Sequence, residues 1–156
     1  MNNLNKKIIK LFVRKKIKIS VAESCTGGLL SSSLTLVPNS SKAFSLGLIT
    51  YSNESKINIL NVPKKLLLKY GSVSKEVCIS MVKNLSKLSK TYVSISITGI
   101  AGPGGGTFKK PVGLVYVGIK IGNRIICKKL LLKNKSRNYI QKETVKKTLK
   151  FIINFL

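Results

Sequence analysis

Ser24 and Thr26 stand where a β-branched run, Ile17-Lys-Ile-Ser-Val21, gives way to an apolar one, Leu29 to Val37. The first run reads as a short buried strand and the second as a helix. Between them, Gly27 and Gly28 bare the backbone of the helix's first turn. Free N–H groups at a helix N-terminus attract phosphate or a developing oxyanion. A hydroxyl beside such donors is placed to act as a nucleophile or a ligand clamp. The plainer reading is that Ser24 or Thr26 caps the helix.

Two further stretches carry candidate chemistry. Gly99-Ile-Ala-Gly-Pro-Gly-Gly-Gly106 is dense in glycine but is neither a Walker loop nor a dinucleotide fingerprint. It reads either as a flexible turn or as a backbone cradle for a phosphate or carbonyl oxygen. Lys56 falls just past the end of a second strand, Phe44 to Tyr51. A solvated surface charge is the plain reading; buried there, it would have a lowered pKa and could deprotonate a hydroxyl. Glu23 and Glu54, two of only four carboxylates, flank this region. Glu23 would orient Lys56, bind a ribose, or simply balance charge. Cys25 is a rival nucleophile to Ser24, although neighbouring residues after a strand point apart.

Positioning these groups requires a particular set of elements. Residues 3–14 carry a helical apolar stripe (Leu4, Ile8, Ile9, Leu11, Phe12) between lysines. A strand at about 17–23 and a helix at about 27–37 follow, and Val37-Pro38-Asn39 stops the helix. After the strand Phe44–Tyr51 come short helices at 53–60 and 63–68, then a longer one from Ser74 to about Ser89. Tyr92–Thr98 alternates with period two and is the clearest strand. Val112–Ile121 and Arg124–Leu132 flank Gly122-Asn123, a strong hairpin signal, and residues from about 136 to 156 form a closing helix. The pattern predicts one domain over residues 1–156, a three-layer α/β/α sandwich with a mixed, mostly parallel sheet and a C-terminal hairpin. If the first three strands are parallel, Glu23-Ser24, Tyr51-Ser52 and Thr98-Gly99 end on one rim, where sites form in open α/β sheets.

Composition narrows the chemistry. The chain has no histidine and no aspartate, which excludes a Ser-His-Asp triad and the usual magnesium carboxylates. Cys25, Cys78 and Cys127 are too far apart for a zinc knuckle, so no metal site is expected. The net charge of +25 suggests nucleic acid, yet 26 of the 29 cations are dispersed lysines, and only Arg14, Arg124 and Arg137 are arginines. Base readers favour arginine, so no selected nucleic-acid partner is expected. No apolar run is long enough to span a bilayer and Met1–Ser20 lacks a signal-peptide core, so the expectation is a cytoplasmic protein without a membrane partner.

Ala22-Glu-Ser-Cys-Thr-Gly-Gly28, Thr50-Tyr-Ser-Asn-Glu54 with Lys56, Gly71-Ser-Val-Ser74, and Gly99–Gly106 with Lys110-Pro-Val-Gly113 occur in an order and spacing that resembles the CinA C-terminal domain family, the stand-alone nicotinamide-nucleotide amidases. The resemblance covers about residues 20–120. It implies hydrolysis of the amide of nicotinamide mononucleotide, a small-molecule nucleotide substrate, without metal or cofactor and in a homodimer. Carried over by motif, Ser24 is the nucleophile and Lys56 its base. Glu23, Thr26, Gly27, Gly28, Tyr51, Thr98, Gly99, Gly102, Gly104, Gly105 and Arg137 would contact substrate. One of the two backbone sets, Thr26–Gly28 or the glycine loop, would hold the oxyanion and the other the phosphate. Two departures stand out. The family's Gly-Asp-Arg segment is replaced by Asn134-Lys-Ser-Arg137, and Gln141 stands where another arginine is usual. The competing expectation is a non-catalytic nucleotide-binding protein of the same fold.

Overall fold

Tyr92–Thr98 was the clearest alternation in the sequence, and its strand is the middle one of the sheet. The computed structural model describes residues 2–133 and 135–155. Met1, Asn134 (the start of the segment preceding the last helix) and Leu156 lie outside the described residues. The five strands are β1 (Ile19–Glu23), β2 (Phe44–Ile49), β3 (Val93–Gly99), β4 (Leu114–Ile121) and β5 (Arg124–Leu131), in spatial order β2-β1-β3-β4-β5. β1 pairs in parallel with β2 and β3, and β4 is antiparallel to both β3 and β5. Four strands therefore run one way and β4 the other, which gives the mixed, mostly parallel sheet expected. The carboxyl ends of β1, β2 and β3 share one rim.

The period-two rule assigns the two faces of the sheet. Ile19 and Val21 of β1 and Val93, Ile95 and Ile97 of β3 are buried in one apolar cluster. Against them pack α1 (Asn2–Arg14), α2 (Leu29–Thr35) and α6 (Arg137–Phe155), through Ile8, Ile9, Phe12, Leu30, Leu34, Val145 and Leu149. The opposite face carries α5 (Lys75–Ser89), whose Val77, Met81 and Leu85 bury Ala22 together with Leu60, Val62 and Leu67. The short helices α3 (Asn53–Asn58) and α4 (Lys64–Tyr70) lie between β2 and α5 in the chain. Ser20, Thr91 and Ser94 are buried on that side and satisfy one another, with Ser89, through hydroxyl contacts of 2.8–3.1 Å. Carboxylate–lysine pairs are few. Among the described residues they are Glu143 with Lys146 and Lys147, each at 3.8 Å. No helix among the described residues is long and apolar enough to cross a membrane.

The element boundaries moved for local reasons. Gly27 and Gly28 have φ of 59° and 94°, so the helix expected from about 27 starts at Leu29 and is short. β2 stops at Ile49, and its inward and outward residues alternate between half-buried and exposed because it is the edge strand. β4 begins two residues later than the sequence suggests because Gly113, at φ +90°, lies outside the conformations a strand uses.

Gly113 is also the joint between the hairpin and the glycine loop. Its N–H donates to Ile100 O at 2.7 Å and its carbonyl accepts from Leu132 N at 2.9 Å. A Cβ there would lie 2.2 Å from Leu132 O. Gly113→Ala should therefore lower stability by about 2 kcal/mol or more, through positive φ and backbone overlap together. Urea denaturation checks this; an unchanged midpoint would show that the hairpin base yields freely.

Candidate active site

Ser24 is the first residue beyond β1. Its N–H still donates to Ile97 O of β3 at 3.0 Å, so the strand pairing fixes its backbone. The chain then turns sharply, with Gly27 N donating to Ser24 O and Leu29 N to Thr26 O, before α2 begins. Alternation along β1 sends Glu23 to the face of Ile19 and Val21, and Ser24 to the face of Ser20 and Ala22. The Glu23 carboxylate, 0% exposed, accepts from Leu30 N at 3.0 Å, Ser31 N at 2.8 Å and Ser31 Oγ at 2.7 Å. The acceptor at the amino end of α2 is thus the chain's own. This corrects the reading of Glu23 as a ribose ligand or a partner of Lys56: its oxygens are spent on α2. Thr26, Gly27 and Gly28, the other turn residues expected at the site, are not among the residues that line the cleft with Ser24. They line a separate shallow recess with Asn138, Gln141 and Lys142.

Lys56 approaches Ser24 from α3. Ser52 caps that helix, accepting from Ser55 N at 3.0 Å, and Lys56 follows one turn in. The side chain is 1% exposed. Its Nζ lies 3.1 Å from Ser24 Oγ, 2.8 Å from Thr50 O, 3.2 Å from Tyr51 O and 3.4 Å from Ser52 O. No carboxylate hydrogen-bonds to it among the described residues. Burial pushes its pKa below the ordinary lysine value of 10.5, and the nearby Cys25 and Glu54 oppose that only in part. A lysine whose pKa is lowered by desolvation gives up its proton more readily, and its neutral form has a lone pair to take the proton of the hydroxyl it touches. Cys25, the rival nucleophile, is packed in the apolar cluster as well as bordering the pocket at Ser24, and burial pushes its thiol up to about 12. It is a thiol at neutral pH, and the thiolate is the reactive form.

These groups open onto a cleft of about 400 Å³ on the shared rim. Ser24, Tyr51, Lys56, Thr98, Gly99, Gly102, Gly104, Gly105 and Arg137 all line it. Thr98 Oγ1 donates to Ser72 O at 2.8 Å, tying the end of β3 to the loop before α5. Arg137 donates from Nη1 to Gly102 O and from Nη2 to Tyr51 Oη, each at 2.9 Å, and so bridges the glycine loop and the β2–α3 connection. Between Ala101 and Gly106 no backbone N–H donates to another group of the chain among the described residues. Gly104 has neither a crowding neighbour nor a positive φ to require glycine. Its missing side chain leaves the peptide bare toward the cleft. The loop is a set of unused donors.

Sequence reasoning passed over Ser72, Val73, Thr107 and Lys110, which also line the cleft. Lys110 Nζ donates to Tyr70 O. The signal for these residues lay in the segments Gly71–Ser74 and Lys110–Gly113, which gave spacing but no direction. Lys110 and Arg137 line the cleft beside the Lys56 amine and no acid does, so it suits an anionic ligand. Among the described residues no three His, Cys, Asp or Glu side chains converge.

The sequence model for the CinA C-terminal domain matches residues 1–156. A competence-damage inducible protein of Clostridium botulinum (strain Langeland) is 47% identical over 150 residues, covering 96% of this chain and 36% of the relative. One from Thermoanaerobacter pseudethanolicus is 46% identical over 149 residues with the same coverage. The chain thus spans about a third of the length of the curated relatives it matches. Among solved structures, the competence/damage inducible protein CihA of Agrobacterium tumefaciens superposes with a TM-score of 0.96 at 34% identity, covering 98% of this chain and 93% of that one. A CinA superfamily protein of Escherichia coli gives 0.95 at 27% identity, with 99% and 90% covered.

The buried lysine makes stability depend on pH in a defined direction. Its folded pKa lies below 10.5, so between the two values the unfolded chain holds one more proton than the folded one. The stability linked to this group is complete above 10.5 and is lost as pH falls through the folded value. The stability difference between the parent and Lys56→Met should therefore grow in the parent's favour as pH rises toward 10.5. Urea midpoints of both proteins from neutral pH upward check this; a pH-independent difference would place Lys56 in a wet, unperturbed setting.

Proposed function

Because this chain belongs to the CinA C-terminal domain family, we propose that it is an amidohydrolase in which Ser24 is the nucleophile and Lys56 the general base, acting on the carboxamide of nicotinamide mononucleotide. The observation that carries this reading is the 3.1 Å contact between the Lys56 amine and the Ser24 hydroxyl, made by a buried lysine with no acid partner. In the neutral form, Lys56 Nζ takes the hydroxyl proton as Ser24 Oγ bonds to the amide carbon. The resulting ammonium then protonates the departing amine, and ammonia leaves. Water, activated by the same amine, hydrolyses the acyl-serine to release nicotinate mononucleotide. The bare amides of the 101–106 loop are the donors for the oxyanion, and Lys110 and Arg137 are the cations for the phosphate.

A second reading, nucleotide binding without turnover, is favoured by one observation. Arg137 already spends donors on Gly102 O and Tyr51 Oη. Ammonia release from nicotinamide mononucleotide distinguishes the two. The parent should turn over, with kcat/KM rising with pH along a limb centred below 10.5. Lys56→Met should lose about 10²–10⁴-fold and Ser24→Ala at least as much. A chelator should leave the rate unchanged, since both proposed groups are side chains of this chain. Saturable nucleotide binding without ammonia would establish the second reading.

A further inference from the structure

The first two turns of α6 reach both sides of the cleft, and one of these contacts touches the carbonyl of Cys25, the residue after Ser24. Arg137 holds the glycine loop and Tyr51. One turn on, Gln141 donates from Nε2 to Cys25 O at 2.8 Å. Gln141 does not line the cleft and sits behind the turn, at the neighbouring recess. We infer that Gln141 is a positioning residue for Ser24, an inference that rests on reading Ser24 as the nucleophile.

The segment 24–28 has reason to need such a tether. Gly27 and Gly28 are both left-handed, which glycine visits freely along with much else. Upstream, Ser24 N is fixed to Ile97 O of β3. Downstream, among the described residues, the bond from Gln141 is the one hydrogen bond that ties the Cys25 peptide to another element. Thr26 Oγ1 is buried without a partner and gives no second hold. Ser24 Cα therefore lies between two tethers, one in the sheet and one on α6. Without the second, the Cys25 carbonyl loses its partner and the turn is held by the Gly27 N–Ser24 O bond and the buried Cys25 side chain, a looser hold on the angle at which Ser24 Oγ meets Lys56 Nζ. Misplacement by about 1 Å is costly to a nucleophile that must be aligned with its base. A methionine of the same length fills the space without donating, and an arginine keeps an N–H donor.

The test reads the serine itself rather than turnover. Phenylmethanesulfonyl fluoride labels an activated serine. Oγ bonds to sulfur, the S–F bond breaks, fluoride leaves, and the hydroxyl proton passes to the lysine amine. Labelling of Ser24, followed by intact mass and a peptide map, is compared in the parent, Gln141→Met and Gln141→Arg, with melting temperatures measured alongside. The expected result is labelling about tenfold slower in Gln141→Met, near the parental rate in Gln141→Arg, and melting of both well above the assay temperature. Equal rates in parent and Gln141→Met overturn the inference and leave the nucleophile reading intact. Equal slowing in both variants also overturns it, since packing rather than donation would then be at work. Failure of the parent to label Ser24 overturns the nucleophile reading, and the inference with it.

Discussion

One lysine of 26 is kept out of water, and the rest of the site follows from that constraint. A buried ammonium is costly, and the chain supplies no carboxylate to offset it. Instead the carbonyls of Thr50, Tyr51 and Ser52, released from the end of β2, surround the amine. The Thr50 and Tyr51 carbonyls lie in the gap between the end of the edge strand at Ile49 and the start of α3 at Asn53, and the Ser52 carbonyl belongs to the first turn of α3. The same short connection brings Tyr51 to Arg137, so the elements that dry the lysine also shape the mouth of the cleft.

Glu23 solves a related problem by opposite means. The amino end of α2 is buried against the sheet, where its first amides would lack water. Glu23 reaches over from β1 and takes two of them, together with the Ser31 hydroxyl. The first turn of α2 is thus held from within the chain, and the glycine loop across the rim keeps its donors free. A glutamate and a serine adjacent in sequence have been sent to different layers, one to build the fold and one to face the cleft.

Much of this was legible beforehand. The alternation in Tyr92–Thr98, the Gly122-Asn123 turn and the polar ends of three strands gave the sheet and its rim, because these signals are local and periodic. The proximity of Ser24 and Lys56, 32 residues apart in sequence, came from the parallel-strand argument and the family resemblance, since nothing local marks one lysine among 26. The misreading of Glu23 had a remedy in the sequence: it shares parity with Ile19 and Val21, and so the buried apolar face. Lys110 and Gln141 were not legible as contributors, because their partners, Tyr70 O and Cys25 O, are backbone atoms, which carry no residue-specific signal.

The scarcity of ion pairs has a consequence of its own. Glu143 serves two lysines at 3.8 Å on the surface of α6, in pairs of a kind that contributes little. Most of the +25 charge is therefore mutual repulsion spread over a shell around an interior dominated by apolar side chains and shared hydroxyls. The folded chain is a polycation with few counter-charges of its own. Salt, which weakens proteins that depend on ion pairs, should tighten this one by shortening the reach of its own field.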